Sequence, residues 1–228
     1  MRKGDETKQT ILRAAEQLFC QRGYEAASMQ EIVQLSGISK GGIYHHFTSK
    51  EEIMTQLCQQ QAQQAAAATQ AQISDTTDAL TQLNLLLTGC LPLKETDLPF
   101  TAMLLPLMAS SQGRALALTY LDARQAAFLP LVEDVVHAGC HSDLLFTEIR
   151  GIESVILHLL TDCFLDITAL LLSCHQEKQP CDTSALLGVL TRYRRSVEVL
   201  LNAPYGAIEL FPLETLEKVA QRLMNALS

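Results

Sequence analysis

The sequence predicts an all-α protein with a small three-helix head and a larger helical body, and three observations carry that reading. First, the 228 residues are 48% apolar but only 5% aromatic, with no Trp. A core built from Leu, Ala, Ile and Val favours packed helices over sheets. Second, seven Pro and eleven Gly are few for the many turns of a β chain. Third, apolar residues recur at three- and four-residue spacing, and only fragments alternate with period two. The chain is long enough to bury a core without disulfides and too apolar to be disordered.

The seven Cys are odd in number and none forms a C-x-x-C pair. With no secretory leader pattern at the start, reduced thiols and a cytoplasmic location are expected. The longest apolar stretch, Val155 to Leu172, is interrupted by His158, Asp162 and Asp166, which argues against a membrane span. The net charge of −8 is unevenly spread. Residues 1–50 hold seven Lys/Arg and five acids, whereas residues 51–228 hold ten and twenty. That asymmetry suggests two tasks in one chain.

The first helix is marked by Ile11, Ala14, Ala15, Leu18 and Phe19, one apolar stripe at helical spacing, and Gly23 follows as a stop. Ser28-Met-Gln-Glu31 reads as a capping box, with Ala27 and Ile32 as its staple. Met29, Ile32 and Val33 form the buried face of this second helix, which ends at Ser36-Gly37. A third helix starts at Ser39 as N-cap, with Ile43 and Phe47 inward, and a fourth at the capping box Ser49-Lys-Glu-Glu52. Two short helices joined by a tight Gly-containing turn, backed by a first helix, describe a helix-turn-helix.

The third helix opens Lys40-Gly41-Gly42, although each Gly costs a helix about 1 kcal/mol relative to Ala. With no packing reason visible in the sequence, the pair points to close approach of backbone to a phosphate or base edge. Lys40, Tyr44, His45 and His46 face outward on the same helix, all able to bond phosphates or bases.

On these residues, positions 8–57 resemble the N-terminal domain of TetR-type transcriptional repressors. The carrying run is Gly37-Ile-Ser-Lys-Gly-Gly-Ile-Tyr-His-His-Phe-Thr-Ser-Lys-Glu-Glu52. The resemblance implies that Lys40, Gly41 and Gly42 lie at base edges in the major groove, and that Ser28, Ser39, Tyr44, His46 and Lys50 hold phosphates. Met29 stands where many relatives carry a small hydroxyl residue. The implied division is a DNA-binding domain over 1–48 and a helical ligand-binding and dimerisation domain over 49–228. The implied partners are double-stranded operator DNA, a small-molecule effector and a second copy of the chain, with no membrane and no cofactor.

Beyond Ser49 helix continues. The Gln/Ala-rich stretch Gln59–Gln72 is expected to be a solvent-facing spacer between head and body. Asp75 and Asp78 open a helix to about Leu91. Further helices are expected over Leu98–Ala109, from Gln112 to Val136 with a kink before Pro130, and from Pro212 to Leu227. Between them, Ile156, Leu160, Cys163, Ile167, Leu170 and Cys174, then Leu186, Leu190, Tyr193, Val197 and Leu200, recur with alternating spacings of four and three. Such seams suit helices crossing at about 20°. Ordinary packing within one protomer is one reading; a two-fold four-helix dimer interface is preferred. His158 and Asp162 on the opposite face, with Phe100, Met103, Met108 and Phe128 as an apolar wall, are the candidate effector contacts, against the plainer reading of core and solvated surface.

His137, Cys140 and His141 cluster locally, as do Cys174, His175 and Cys181, but neither set supplies the ligands of a complete zinc site. No metal is therefore expected. No phosphate-loop, dinucleotide, nucleophile-elbow or H-E-x-x-H pattern occurs, and nothing argues for an enzyme. Two rival readings stand beside a ligand-responsive repressor: a helical protein-interaction module without a DNA role, and a metal- or thiol-responsive DNA-binding sensor using Cys140 or Cys174.

Overall fold

The computed structural model describes residues 3–73 and 78–227. Among these residues there are ten α-helices and no strand, so the all-α expectation holds. The head comprises α1 (Lys3–Arg22), α2 (Met29–Ser36), α3 (Lys40–His46) and the first half of α4 (Lys50–Gln70). Each short helix is started by a hydroxyl residue. Ser28 Oγ accepts from Glu31 N–H at 3.2 Å while Glu31 reaches back to Ser28 N–H at 2.9 Å, and Ser39 Oγ accepts from Gly42 N–H. Gly37 ends α2 at φ +68°, a left-handed cap. At α4, Ser49 accepts from Glu52 N–H, but the Glu52 carboxylate turns to Thr48, whose N–H and hydroxyl both donate at 2.7 Å. The reciprocal half of that capping box is thus displaced by one residue.

The body adds α5 (Ala79–Cys90), α6 (Leu98–Leu104) running into a 3₁₀ turn (Leu105–Ala109), α7 (Ser111–His141), α8 (Ile152–Gln176), α9 (Thr183–Leu200) and α10 (Leu213–Leu227). Asp78 caps α5 through Leu80 and Thr81 N–H, whereas Asp75 lies outside the described residues. α7 runs past the expected end at Val136, with Pro130 inside it, and takes in His137, Gly139 and His141.

Two expectations are corrected. The Gln/Ala-rich stretch is no exposed spacer: Ala62, Ala66 and Thr69 on α4 are buried, and α7 is the helix that α4 packs on most extensively. Small side chains here allow close approach between helices. A Cβ at Gly89 on α5 would lie 2.4 Å from Thr69 Oγ1.

The heptad seam is the second. Ile156, Leu160, Cys163 and Ile167 on α8, with Leu186, Leu190 and Val197 on α9, are between 0% and 4% exposed within one protomer. They belong to the body core and pack α8 on α9, leaving Leu170, Cys174, Tyr193 and Leu200 half-buried. Alternating four-three spacing marks any helix pair crossing at a shallow angle; it does not say whether the partner helix is in the same chain. α8 is the one helix among the described residues long and apolar enough to cross a membrane. Its inward residues, Ile156 through Leu171, are buried in the protein core.

The head has its own apolar cluster around Ile11, Phe19, Ile32, Ile43, Phe47 and Leu57. Phe100, Met103, Leu104 and Leu107 from α6 and its 3₁₀ turn, and Tyr120 from α7, pack into that same cluster. Head and body therefore share side chains across their junction.

Candidate nucleic-acid interface

α3 is held from below by Ile43 and Phe47, 0% and 1% exposed. With those two side chains inward, helical geometry turns Lys40, Gly41, Tyr44 and His45 to the outside, all exposed, and leaves Gly42 and His46 half-buried. Lys40 Nζ sits 5.9 Å from the centre of the Tyr44 ring, so ammonium and phenol occupy one patch. α2 runs beside it, and a cleft of about 600 Å³ between the two helices is lined by Ser28, Met29, Gln30, Val33, Gln34, Lys40 and Tyr44. The exposed amides of Gln30 and Gln34 were not singled out in the sequence. Their signal was present: they are the polar positions, one turn apart, in a helix whose apolar residues are Met29, Ile32 and Val33.

The two glycines are not equivalent. A Cβ at Gly41 would meet nothing within 4 Å, whereas one at Gly42 would lie 2.9 Å from Ile38 Cγ2 and 3.2 Å from Ser39 Oγ. A packing reason absent from the sequence therefore accounts for Gly42, since the β-branched Ile38 has little room to yield. Only Gly41 is left without an internal reason for lacking a side chain.

The hydroxyls differ in the same way. Ser28 Oγ donates to Glu31 Oε2 at 2.8 Å, so its proton is engaged within the capping box. That bond, the Ser28 N–H and Arg22 at 2.6 Å hold the Glu31 carboxyl below its ordinary range. Ser39 accepts from Gly42, which leaves its proton available to an acceptor outside. Lys50 points inward. Its Nζ donates to the carbonyls of Tyr24 at 2.9 Å and Ala27 at 3.0 Å, and stands 4.3 Å from the Tyr24 ring centre. In this arrangement the ammonium ties the start of α4 to the α1–α2 connection, with its charge satisfied by the protein.

The candidate effector contacts are not brought together. Phe100 and Met103 lie in the head cluster and Phe128 in the body core; Met108 is half-buried, and His158 and Asp162 are exposed on α8. The His158 ring nitrogen Nδ1 lies 2.7 Å from the Ser154 carbonyl one turn earlier. Polar spacing alone does not reveal which face of an almost wholly apolar helix meets solvent.

A buried polar centre that the sequence reading missed sits where body meets head. Arg124 on α7, 1% exposed, places each of its five N–H groups on an acceptor. Nε donates to Cys90 O at 2.9 Å, Nη1 to Asp97 Oδ1 at 3.1 Å and Tyr120 Oη at 2.8 Å, and Nη2 to Asp97 Oδ2 at 3.3 Å and Gly89 O. The signal was its register, because Ala117, Tyr120, Leu121, Arg124 and Phe128 share one helical face. Among the cysteines, burial lifts Cys58, Cys90 and Cys163 to about 12. Cys140, Cys174 and Cys181 are half-buried, and burial pushes the Cys181 thiol up to about 12.

The comparisons with known proteins agree with this geometry. A family profile described as bacterial regulatory proteins, tetR family, matches residues 11–57. The chain is 36% identical over 74 residues to the HTH-type transcriptional activator FasR of Mycolicibacterium smegmatis, covering 32% of this chain and 34% of that protein. It is 34% identical over 64 residues to the HTH-type transcriptional repressor AcnR of Corynebacterium glutamicum, covering 28% and 34%. It thus spans about a third of the length of these curated relatives. The solved structure of Salmonella enterica GusR superposes with a TM-score of 0.56 over 89% of this chain and 99% of that one, at 17% identity, a likeness of fold alone.

Proposed function

We propose, from the match of residues 11–57 to the tetR-family profile, that this chain is a cytoplasmic, ligand-responsive transcriptional regulator of that family, acting as a repressor. It binds a palindromic operator as a homodimer and is released by a small-molecule effector. One observation carries the reading: an α3 anchored by Ile43 and Phe47 that presents Lys40, Gly41 and Tyr44 to solvent. Two such helices in a dimer would enter successive major grooves roughly 34–36 Å apart. Ser39 and His46 hold phosphates beside them, Ser28 reaches one only by giving up its bond to Glu31, and His45 lies at the rim.

The dimer follows from operator symmetry. Its surface is the outward side of α8 and α9, where Val155, Leu187 and Val199 are 44%, 41% and 64% exposed, in place of the buried seam. Effector control is supported by the shared junction. Because Phe100, Met103 and Tyr120 pack into the head cluster, a ligand that shifts α6 also shifts the head. A 10- to 100-fold loss of operator affinity requires only about 1.4–2.7 kcal/mol of differential binding.

The test is fluorescence anisotropy with duplex DNA flanking the gene, at low salt, on the full chain. The wild type binds duplex DNA, and the K40A/Y44F variant, folded and with unchanged oligomeric state, does not. A folded wild type that binds no double-stranded DNA overturns the reading, as does a K40A/Y44F variant that binds like wild type.

A further inference from the structure

On the last turn of α7, His137 and His141 lie one helical turn apart, both exposed. Their Nε2 atoms are 3.2 Å from each other, with rings nearly perpendicular at 86° and centroids 4.3 Å apart. Two imidazole nitrogens aimed at one another can share one proton, or they can share a metal ion. An ion held about 2.0–2.1 Å from each nitrogen and subtending the observed 3.2 Å separation would make an N–M–N angle of about 100°, between octahedral and tetrahedral values. Both residues belong to the same regular helix, which ends at His141, so their backbone spacing is set before any ion arrives, and neither exposed ring has to leave a packed site.

We propose that His137 and His141 form a two-point chelate for a borderline transition-metal dication such as Zn²⁺, Ni²⁺ or Cu²⁺. Hard cations are disfavoured because they take oxygen ligands. Among the described residues no third His, Cys, Asp or Glu joins the pair, so water fills the remaining coordination positions. The site is open and exchangeable rather than structural. In the metal-free pair one Nε2 donates to the other; on binding, that proton passes through solvent to Nδ1, and both Nε2 lone pairs go to the metal. The His-x-x-Cys-His sequence falls short of a four-ligand zinc site, yet the helix converts its two histidines into a preformed bite. The proposal is independent of DNA binding.

The test is titration of Ni²⁺ into the metal-free, thiol-reduced full chain by isothermal calorimetry, with the imidazole resonances followed by NMR. The expected result is one ion per chain whose affinity falls at least about tenfold in H137A and again in H141A, with paramagnetic broadening of His137 and His141 first. H158A retains the wild-type affinity. Because both histidines are exposed, the variants keep the wild-type melting temperature without metal, and only the wild type is stabilised by added Ni²⁺. If the H137A/H141A double variant binds as tightly as wild type, or if His45, His46 or His175 broadens first, the proposal is wrong.

Discussion

Arg124 Nη1 lies 3.1 Å from Asp97 Oδ1 with the two side chains 1% and 6% exposed. The pair joins the middle of α7 to the residue preceding α6, and the same guanidinium takes the carbonyls of Gly89 and Cys90 at the end of α5. Those carbonyls are the acceptors that a helix C-terminus leaves unfilled. Arg124 thereby satisfies one helix end and neutralises the charge at the start of another, one helical turn from Tyr120, which packs in the head cluster.

Removing one partner of this pair leaves the other charge buried. Arg124→Ala is expected to lower the stability of the full chain by about 3–5 kcal/mol, read as a fall in the urea midpoint at unchanged slope. A double replacement by apolar residues, R124M/D97L, recovers part of that loss because no uncompensated charge remains. Equal loss in the single and double variants would show that packing, rather than charge, dominates at this junction.

At the third helix the two glycines part company. Gly41→Ala places a methyl in open space, so the folded protein gains up to about 1 kcal/mol of helix propensity. Gly42→Ala gains none of it, because the methyl meets Ile38. Thermal melts separate them, with G41A at or above the wild-type midpoint and G42A below G41A. In anisotropy, G41A weakens DNA binding despite its higher stability, if backbone approach is what the glycine provides.

This pair also shows what was legible in the sequence. The caps at Ser28 and Ser39, the αL stop at Gly37 and the inward stripe of Ile11, Phe19, Ile43 and Phe47 are local devices, and local devices are written in consecutive residues. The partition of α8 is not local. Its heptad-like seam, Ile156 to Ile167, is buried inside the protomer because α9 and the rest of the body cover it, and no spacing rule distinguishes an internal partner from an external one. The Gln/Ala stretch misled for a related reason: Ala62 and Ala66 are buried by a close approach of α7 that only the folded chain defines. The candidate effector residues scattered because each was chosen for its type rather than for a shared face.

Glu198 on α9 is 0% exposed. Burial pushes its carboxyl up, but Arg195 at 2.9 Å, the N–H groups of Gly206 and Ile208, and Arg194 outweigh it and hold the group below the ordinary glutamate range. A depressed folded value means that ionised Glu198 contributes stability above its unfolded value of about 4.3. That contribution is lost as pH falls through the lower folded value. Urea midpoints measured from pH 7 to pH 3 are expected to fall less steeply with acid in Glu198→Gln, which starts less stable at pH 7. A parallel acid arm in both proteins would remove Glu198 from the account.

Lys50 and Lys40 carry the same charge but meet different partners, and salt dependence distinguishes them. Each phosphate neutralised by a lysine contributes about 0.9 to the slope of log K against log salt concentration. Lys50 Nζ is engaged by Tyr24 O and Ala27 O, so Lys50→Met is expected to leave the slope unchanged. Its cost falls on folding instead, at about 1.5–3 kcal/mol for hydrogen bonds to a charged group, visible as a lower melting temperature of the full chain. Lys40 has an exposed side chain beside Tyr44. Lys40→Met should leave the melt unaltered and change DNA affinity, with a shallower slope if its ammonium meets a phosphate and the wild-type slope if it meets a base edge. A shallower slope in K50M at unchanged stability would mean that Lys50 swings out to the duplex on binding, reversing the role its carbonyl contacts imply.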